Sequence, residues 1–241
     1  MNGFVLWRGP SLLDGEPIMV IATGFDVASR NAKTGEMIQT WILREDIAPG
    51  EALRTKEDKS ICGDCKHRGR TCYVMVHWGV TNVWKAAKRG KYPDVDRRSL
   101  HRVGDGHAVR VGTYGDPAAV PTWVWARLLL TAKFHTGYTH QWRQDNPELK
   151  RICMALVDTV EEQAAASAMG WRTFRVRTSY EAPLPKEVVC PASAEAGKKL
   201  TCEECRACGG LAAKARADIV IKVHGSPTRA RAFENGDLFS A

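Results

Sequence analysis

The sequence of 241 residues lacks an apolar run long enough to span a membrane. Its longest apolar stretches, such as residues 18–22, have the length of buried strands. The first ten residues lack the basic start and the long apolar core of a signal peptide. Internal repeats and low-complexity segments are absent as well. The missing membrane span and the missing signal peptide predict a cytoplasmic protein with no membrane partner.

Familiar catalytic and nucleotide-binding motifs are also missing. The sequence contains no phosphate-binding P-loop, no strong dinucleotide fingerprint and no persuasive Ser/His/Asp arrangement. It therefore assigns no catalytic residue by motif alone.

Acidic residues are outnumbered by basic ones, and the formal net charge is +8. Two four-iron clusters held by thiolates, each carrying about −2, would lower this total to about +4. The basic residues are scattered, which favours a solvated basic surface over a nucleic-acid interface. Residues 85–91 are the best local candidate for binding a polyanion, so a nucleic-acid partner stays open without direct support.

Short β-rich segments and helical patterns predict an α/β fold. Residues 17–23 and 37–43 read as strands joined by a polar segment that contains Asn31, which predicts an N-terminal antiparallel pair. From residue 108 onward strands and helices alternate, which predicts a mostly parallel sheet, open or curled as a partial βα barrel. The strands predicted in this part are 108–113, 136–142, 152–157, 173–176 and 218–223, with a helix at 160–169.

The domain organisation follows from one candidate linker, the proline-containing segment 181–186. We predict an α/β domain over residues 1–185 that contains the first cysteine loop. A C-terminal cysteine-cluster region over residues 186–241 completes the same domain.

Eight cysteines in a chain without an export signal are more typical of metal ligands or buried thiols than of a disulfide framework. Seven of them are clustered, as a metal requires, because its ligands must converge. Cys153 stands alone in an apolar segment, which favours a small core residue. The first group is Cys62, Cys65 and Cys72, and the second is Cys190, Cys202, Cys205 and Cys208.

The second group carries the stronger signal. Three of its cysteines follow one another at two-residue spacings, which is typical of ferredoxin-type [4Fe-4S] ligation, and Cys190 before Pro191 supplies the fourth thiolate. Gly209 and Gly210 would allow the backbone to approach inorganic sulfide closely. Structural zinc more often uses two separated CxxC knuckles, so zinc is the alternative metal.

The first group offers only three cysteines, spaced by two and six residues. Its fourth ligand is open between Cys153, His67, His77 and an exogenous molecule. An iron with a free coordination site can bind a substrate or cofactor, whereas a fully ligated cluster mainly moves electrons. Basic residues around the loop, such as Lys66, would stabilise thiolates. A zinc site with three cysteines and one histidine competes with this interpretation.

A glycine-rich turn at the end of the strand 108–113 can expose backbone amides and a carboxylate to a ligand. The simpler interpretation is a turn before a helix, because Asp before Pro is good capping chemistry. The candidate cofactor-binding residues are Gly112, Thr113, Tyr114, Gly115 and Asp116.

With these motifs in view, most of the chain resembles a bacteriophage-encoded family of cysteine-cluster proteins. Phage membership implies a place in the host cell cytoplasm and brings little else about function. The resemblance rests on the two cysteine motifs, on the glycine-rich turn, and on Asn31, Lys33, Thr34 and Gly35.

More loosely, an incomplete βα barrel with a three-cysteine loop near its start and a four-cysteine cluster near its end is similar to radical S-adenosylmethionine enzymes with an auxiliary cluster. Those enzymes usually carry CxxxCxxC, whereas this loop has two and six residues between its cysteines. The resemblance implies that residues 112–116 hold the amino-acid end of the cofactor. It is an analogy at the level of the fold.

Three functions follow as hypotheses. The first is a redox-active iron–sulfur protein that performs electron transfer or radical chemistry with a redox partner or small substrate that the sequence does not name. The second is a zinc-stabilised module that binds nucleic acid or a protein. The third is a catalytic pocket at the strand ends near Asp116 and His140, with the metals incidental.

Overall fold

A computed structural model of the protein describes residues 2–27, 33–197 and 200–237. Asn31, one of the residues behind the family resemblance, lies outside these ranges. The strands are β1 (Gly3–Pro10), β2 (Pro17–Thr23), β3 (Ile38–Arg44), β4 (Ala108–Tyr114), β5 (Phe134–Thr139), β6 (Met154–Val157), β7 (Thr173–Arg177), β8 (Glu187–Val189) and β9 (Asp218–Lys222).

These strands form one open sheet in the order β1-β2-β3-β4-β5-β6-β7-β9-β8. The pairs β1–β2 and β2–β3 are antiparallel, and every pair from β3–β4 onward is parallel. The predicted α/β class, the mostly parallel sheet and the N-terminal antiparallel pair are therefore confirmed. The sheet stays open rather than closing, and β1 adds an antiparallel strand that the sequence reading did not include.

Helices lie between most successive parallel strands, because parallel neighbours need a long crossover connection. No helix within the described ranges is long and apolar enough to cross a membrane. The α-helices are α1 (Pro49–Thr55), α2 (Lys59–Cys62), α3 (Thr81–Lys88), α4 (Leu100–Gly104), α5 (Thr122–Leu129), α6 (Pro147–Ile152), α7 (Val160–Ala168), α8 (Cys202–Cys205) and α9 (Pro227–Glu234). A π-helix spans Val76–Val80, and 3-10 turns span Pro117–Ala119, Trp142–Gln144, Ala194–Ala196 and Gly210–Ala212.

The two faces of the parallel sheet bury different sets of side chains. Successive residues of a strand point to opposite faces. In β6, Ala155 and Val157 belong to the large core, whereas Met154 and Leu156 belong to a second apolar cluster that also contains Cys190 and Cys208. One face of the sheet therefore packs against the main core, and the other packs against the cluster that contains cysteines of the second group.

The segment 181–186, expected as a linker, is tied to the sheet by polar contacts. The Glu181 carboxylate accepts hydrogen bonds from the backbone and the hydroxyl of Thr178, at 2.8 and 2.7 Å. Arg175, fully buried in β7, pairs with Glu181 and, in a bidentate contact at 2.7 Å, with the equally buried Glu187 of β8. Strands on both sides of the segment belong to the same sheet.

Candidate metal centres and the cavity between them

A cavity of about 300 Å³ lies over the face of the parallel strands opposite the main core. That volume is at the small end of the range typical of small-molecule sites. Side chains from four parallel strands and from β9 form its floor: Arg110, Thr136, Tyr138, Leu156, Phe174, Val176 and Ile219.

Both cysteine groups border this cavity. From the first group Cys65 and Cys72 line it, and from the second group all four cysteines do. The groups approach from different ends of the strands. Ile61, next to Cys62, accepts a hydrogen bond from the Asp116 amide just beyond β4, whereas Cys202 packs with Ala108 at the start of β4. The fold thus brings six cysteines from two distant segments to one cavity, which the clustering in sequence did not by itself reveal.

A second, smaller cavity of about 30 Å³ lies beside the first group. Cys62, Cys65 and Cys72 all line it, together with Tyr114 and Asp58. Cys65 and Cys72 therefore line both cavities, whereas Cys62 lines only the small one.

Arg68, which lies between Cys65 and Cys72, stabilises the first cysteine loop through hydrogen bonds to residues before and within it. Its guanidinium donates to the Asp58 carboxylate and to the Lys56 carbonyl, both at 2.7 Å, and to the Gly63 carbonyl at 3.2 Å. The backbone of Cys65 donates to the Cys62 carbonyl at 3.3 Å. These bonds fold the loop back on α2, and all three of its cysteines line the small cavity.

The loop is also docked onto the ends of β4 and β5. Gln141 Nε2 donates to the Cys62 carbonyl at 3.3 Å, and the Asp116 amide donates to the Ile61 carbonyl at 2.6 Å. Gly63 has a φ of +56°, and a Cβ there would lie 2.5 Å from the Gln141 amide nitrogen. Only glycine meets both conditions without strain, so this position fixes how the loop meets the sheet.

The C-terminal helix α9 closes over the same loop. Arg229 Nη1 donates to the Cys72 carbonyl at 2.6 Å and to the Val74 carbonyl at 2.8 Å. Phe233 stacks on His67 with ring centroids 5.7 Å apart, and both rings line the large cavity. The first cysteine group is therefore held in part by a helix that lies 157 positions further along the chain.

The second group is built around the short helix α8. The Thr201 hydroxyl caps it by accepting from the Glu204 amide at 3.2 Å, and the Glu204 carboxylate accepts from the Thr201 amide at 2.7 Å. The Cys202 amide donates to the Lys33 carbonyl at 2.7 Å, and the Glu203 carboxylate accepts from the Glu36 amide at 2.9 Å. The helix is thereby anchored to the segment just before β3.

Cys208 is fixed to the centre of β5. Its carbonyl accepts from the Gly137 amide at 3.0 Å, and the Tyr138 side chain packs in the same apolar cluster as Cys208. Arg172 holds the loop that follows, because its guanidinium donates to the carbonyls of Ala207 and Gly210 at 2.9 and 3.0 Å. Gly210 approaches the backbone of α6 rather than the cavity, since a Cβ there would lie 2.5 Å from the Lys150 carbonyl oxygen.

Burial shapes the electrostatics of the thiols. All eight cysteines are free thiols. Loss of hydration raises the pKa of Cys62 and Cys65 above the ordinary thiol value, and it raises the pKa of Cys208 to about 12. Metal binding at these thiols must therefore release protons. Within the described ranges, no group of three or more His, Cys, Asp and Glu side chains is arranged to hold a single metal ion.

The three protein candidates for the fourth ligand of the first group differ in position. His67 has both ring nitrogens engaged, Nδ1 with the Thr71 hydroxyl at 2.7 Å and Nε2 with Asp158 at 2.9 Å. His77 is exposed and lines neither cavity, and Cys153 lies in the main core, away from both. These placements favour the remaining candidate, an exogenous ligand.

The glycine-rich turn makes its contacts within the protein. Asp116 accepts from the Thr139 hydroxyl and the His140 amide, both at 2.7 Å, and Thr113 donates to Gln39 at 2.9 Å. Cβ atoms at Gly112 and Gly115 would meet Pro117 and Ile42 at 2.9 and 2.6 Å. None of residues 112–116 lines the large cavity, and Tyr114 lines the small one. Cofactor binding by this turn stays a prediction.

Sequence reasoning missed Arg110 and Asp158. Arg110 is buried in the middle of the otherwise apolar start of β4, and Asp158 directly follows β6 and accepts from His67. The signals were present, because a charge inside an apolar strand and a carboxylate at the carboxyl end of a parallel strand both mark sites.

No protein-family model matches this chain, and neither a curated protein nor a solved structure matches it. The fold and the site therefore define it by class, as an open-sheet α/β protein whose two cysteine groups border one cavity.

Proposed function

We propose that the protein binds iron–sulfur clusters at its two cysteine groups and acts on a small molecule in the cavity between them. The observation that carries the proposal is that six cysteines from both groups line this one cavity. Purely structural metal sites have no need to share a cavity of ligand size, because each can be closed on itself.

The number and type of donors are those that the clusters need, although the described thiols are not arranged around a single metal ion. The second group supplies four free thiols within electrostatic reach of one another, as the mutual effects on the pKa values of Cys190, Cys202 and Cys208 indicate. Four thiolates are the usual ligand set of a [4Fe-4S] cluster. The first group supplies three, which leaves one coordination position for a substrate or cofactor. A bound cluster supplies one-electron chemistry.

The chain's own residues have separate tasks in this proposal. Arg68 and Arg229 hold the first loop through backbone carbonyls, and Tyr138 packs beside Cys208 in the second apolar cluster. Apolar side chains such as Leu156 and Phe174 form part of the cavity floor. A polar contact beside such side chains is stronger than the same contact in water.

One feature of the topology supports the radical-enzyme form of the proposal over simple electron transfer. The first cysteine group follows β3, which is the first strand of the parallel set. The resemblance to radical S-adenosylmethionine enzymes implies this order. The different cysteine spacing keeps S-adenosylmethionine itself a proposal, as are the phage origin and the host cytoplasm.

Anaerobic purification with iron, sulfide and zinc analysis and an absorbance spectrum tests the function. About eight irons and eight sulfides per chain, with a broad band near roughly 400 nm, are expected for two [4Fe-4S] clusters. A colourless protein with one or two zincs would refute the redox function and favour the zinc-stabilised binding module.

A further inference from the structure

Among the described residues, the cavity wall carries basic side chains and no carboxylates. Within the described ranges no aspartate or glutamate lines the large cavity, whereas Arg110, Lys33, His67, His140 and His224 do. A cavity whose ionisable wall groups other than thiols and tyrosines are basic favours an anionic occupant.

Arg110 is the deepest of these groups. It is 7% exposed, and it forms no ion pair with a carboxylate of the described chain. Its Nη2 donates to the Tyr73 hydroxyl at 2.7 Å, while its buried Nε has no hydrogen-bond partner among the described residues. The Cys202 side chain lies within electrostatic reach of Arg110, but no carboxylate of the described residues pairs with the guanidinium. A buried cation without a carboxylate partner favours an anionic ligand.

Thr136 lies beside Arg110 on the same floor. The two residues are direct partners in the parallel ladder of β4 and β5, and both side chains line the cavity. Thr136 is 2% exposed, and its buried hydroxyl also lacks a partner among the described residues. Neighbouring strands are about 4.8 Å apart, so one ligand group can contact both side chains.

His140 provides a third buried polar atom without a partner in the described part of the chain, after Arg110 and Thr136. Its Nε2 has no partner among the described residues, and the residue lines the same cavity four positions beyond Thr136. At the rise of a strand this separation is about 13 Å. The polar floor therefore extends from the side of the second cysteine group to the side of the first.

We propose that the cavity binds a small molecule through an oxyanion, a carboxylate or a phosphate, that is seated on Arg110 and Thr136. The guanidinium supplies a charged donor, and the threonine hydroxyl supplies a second, neutral one. The rest of the ligand runs along the floor towards His140 and the first cysteine group. This inference rests on the proposed function only in treating the cavity as the place of reaction.

Calorimetric titration of the purified holoprotein with inorganic phosphate and, separately, with succinate tests the proposal at constant ionic strength. Binding of either probe is expected, and the tighter one distinguishes phosphate from carboxylate ligands. Arg110→Gln is expected to weaken that probe about tenfold or more, and Thr136→Val to weaken it severalfold. Arg143→Gln removes an equal charge from the surface and is expected to leave the affinity unchanged.

Two checks separate misfolding and cluster effects from ligand binding. Arg110→Lys keeps a buried cation, so it is expected to fold and to bind the probe more tightly than Arg110→Gln does. Iron, sulfide and zinc are measured in every preparation, so a failure of the metal assignment is seen independently of the titration.

Absence of binding by wild-type protein up to about 10 mM of both probes would overturn the oxyanion site. Loss of iron and sulfide in Arg110→Gln without any anion binding by the wild type would assign Arg110 as a counter-ion of the Cys202 group instead. Equal weakening by Arg143→Gln would show a non-specific charge effect and would also overturn the proposal.

Discussion

Asp116 and His140 are joined by a 2.7 Å hydrogen bond from the His140 amide to Asp116 Oδ2, and burial shifts the pKa values of their side chains in opposite directions. Loss of hydration raises the pKa of Asp116 to about 6 from 3.8. The same loss, with the nearby His67, lowers the pKa of His140 to about 4 from 6.5. Both side chains are thus favoured in their neutral forms.

These shifts predict opposing effects of pH on stability. Between about pH 4 and 6 folded Asp116 binds a proton that the unfolded chain has released, so its contribution to the free energy of unfolding falls as pH rises. His140 contributes the opposite slope between about pH 4 and 6.5, because the unfolded chain binds its proton first. Each effect amounts to about 3 kcal/mol across its window.

We therefore expect Asp116→Asn to make the free energy of unfolding rise more steeply with pH than in the wild type. His140→Gln should make it rise less steeply or fall. Urea denaturation at several pH values between about 4 and 7 measures both slopes. Identical slopes in the wild type and both variants would contradict the shifted pKa values.

Cysteine replacement should divide the metal content between the two groups. The double variant Cys62→Ser with Cys65→Ser is expected to lose about half of the iron and sulfide, and Cys202→Ser with Cys205→Ser to lose the other half. Cys153→Ala is the matched control, because Cys153 is buried in the core and lines neither cavity. Loss of metal in this control would show that Cys153 is a ligand.

Gly63 should be intolerant of any side chain. Alanine there has to adopt a positive φ and also displace Gln141, whereas Gly170 has a φ of +81° with open space around its Cβ position. We expect Gly63→Ala to lower the free energy of unfolding by about 1–2 kcal/mol more than Gly170→Ala does. Urea denaturation measures the difference, and metal analysis should show a loss at the first group. Equal costs would mean that Gln141 moves aside freely.

Arg229 should control how firmly the first group keeps its metal. Arg229→Gln removes two charge-assisted hydrogen bonds to the backbone after the loop, worth about 1.5–3 kcal/mol each. We expect a chelator to remove metal from the first group faster in this variant, while the second group is unaffected. Arg231→Gln, an exposed change in the same helix, should behave as the wild type does. Equal release rates in Arg229→Gln and the wild type would show that α9 does not help the first group to retain its metal.

Much of the sheet was predictable because the strands carry local signals. The predicted segments 17–23, 108–113, 173–176 and 218–223 agree closely with β2, β4, β7 and β9. The segment 136–142 was placed too late, because β5 begins at Phe134 and ends at Thr139 before a 3-10 turn at Trp142. The strand predicted over 152–157 began too early, because Ile152 is the last residue of α6 and β6 begins at Met154. A short apolar run does not distinguish a buried helix from a strand.

The candidate site was predictable only in part. The cysteine groups follow from spacing, which is local information. Their shared cavity does not, because it depends on Arg110, Thr136 and Phe233, which lie far apart in sequence and meet only through the strand order and the return of α9. The burial of Asp116 and the contact between His67 and Asp158 are likewise products of tertiary packing.

The anchoring of α8 to the segment before β3 also bears on how the protein is made. Glu36 and Glu203, which form one of these contacts, are 167 positions apart in the chain. During synthesis the first cysteine group leaves the ribosome long before Cys202. The segment on which α8 docks is therefore made before α8 itself. The second group can therefore be completed only after Cys208 has been synthesised, so a chain stalled before residue 200 would lack three of its four thiols.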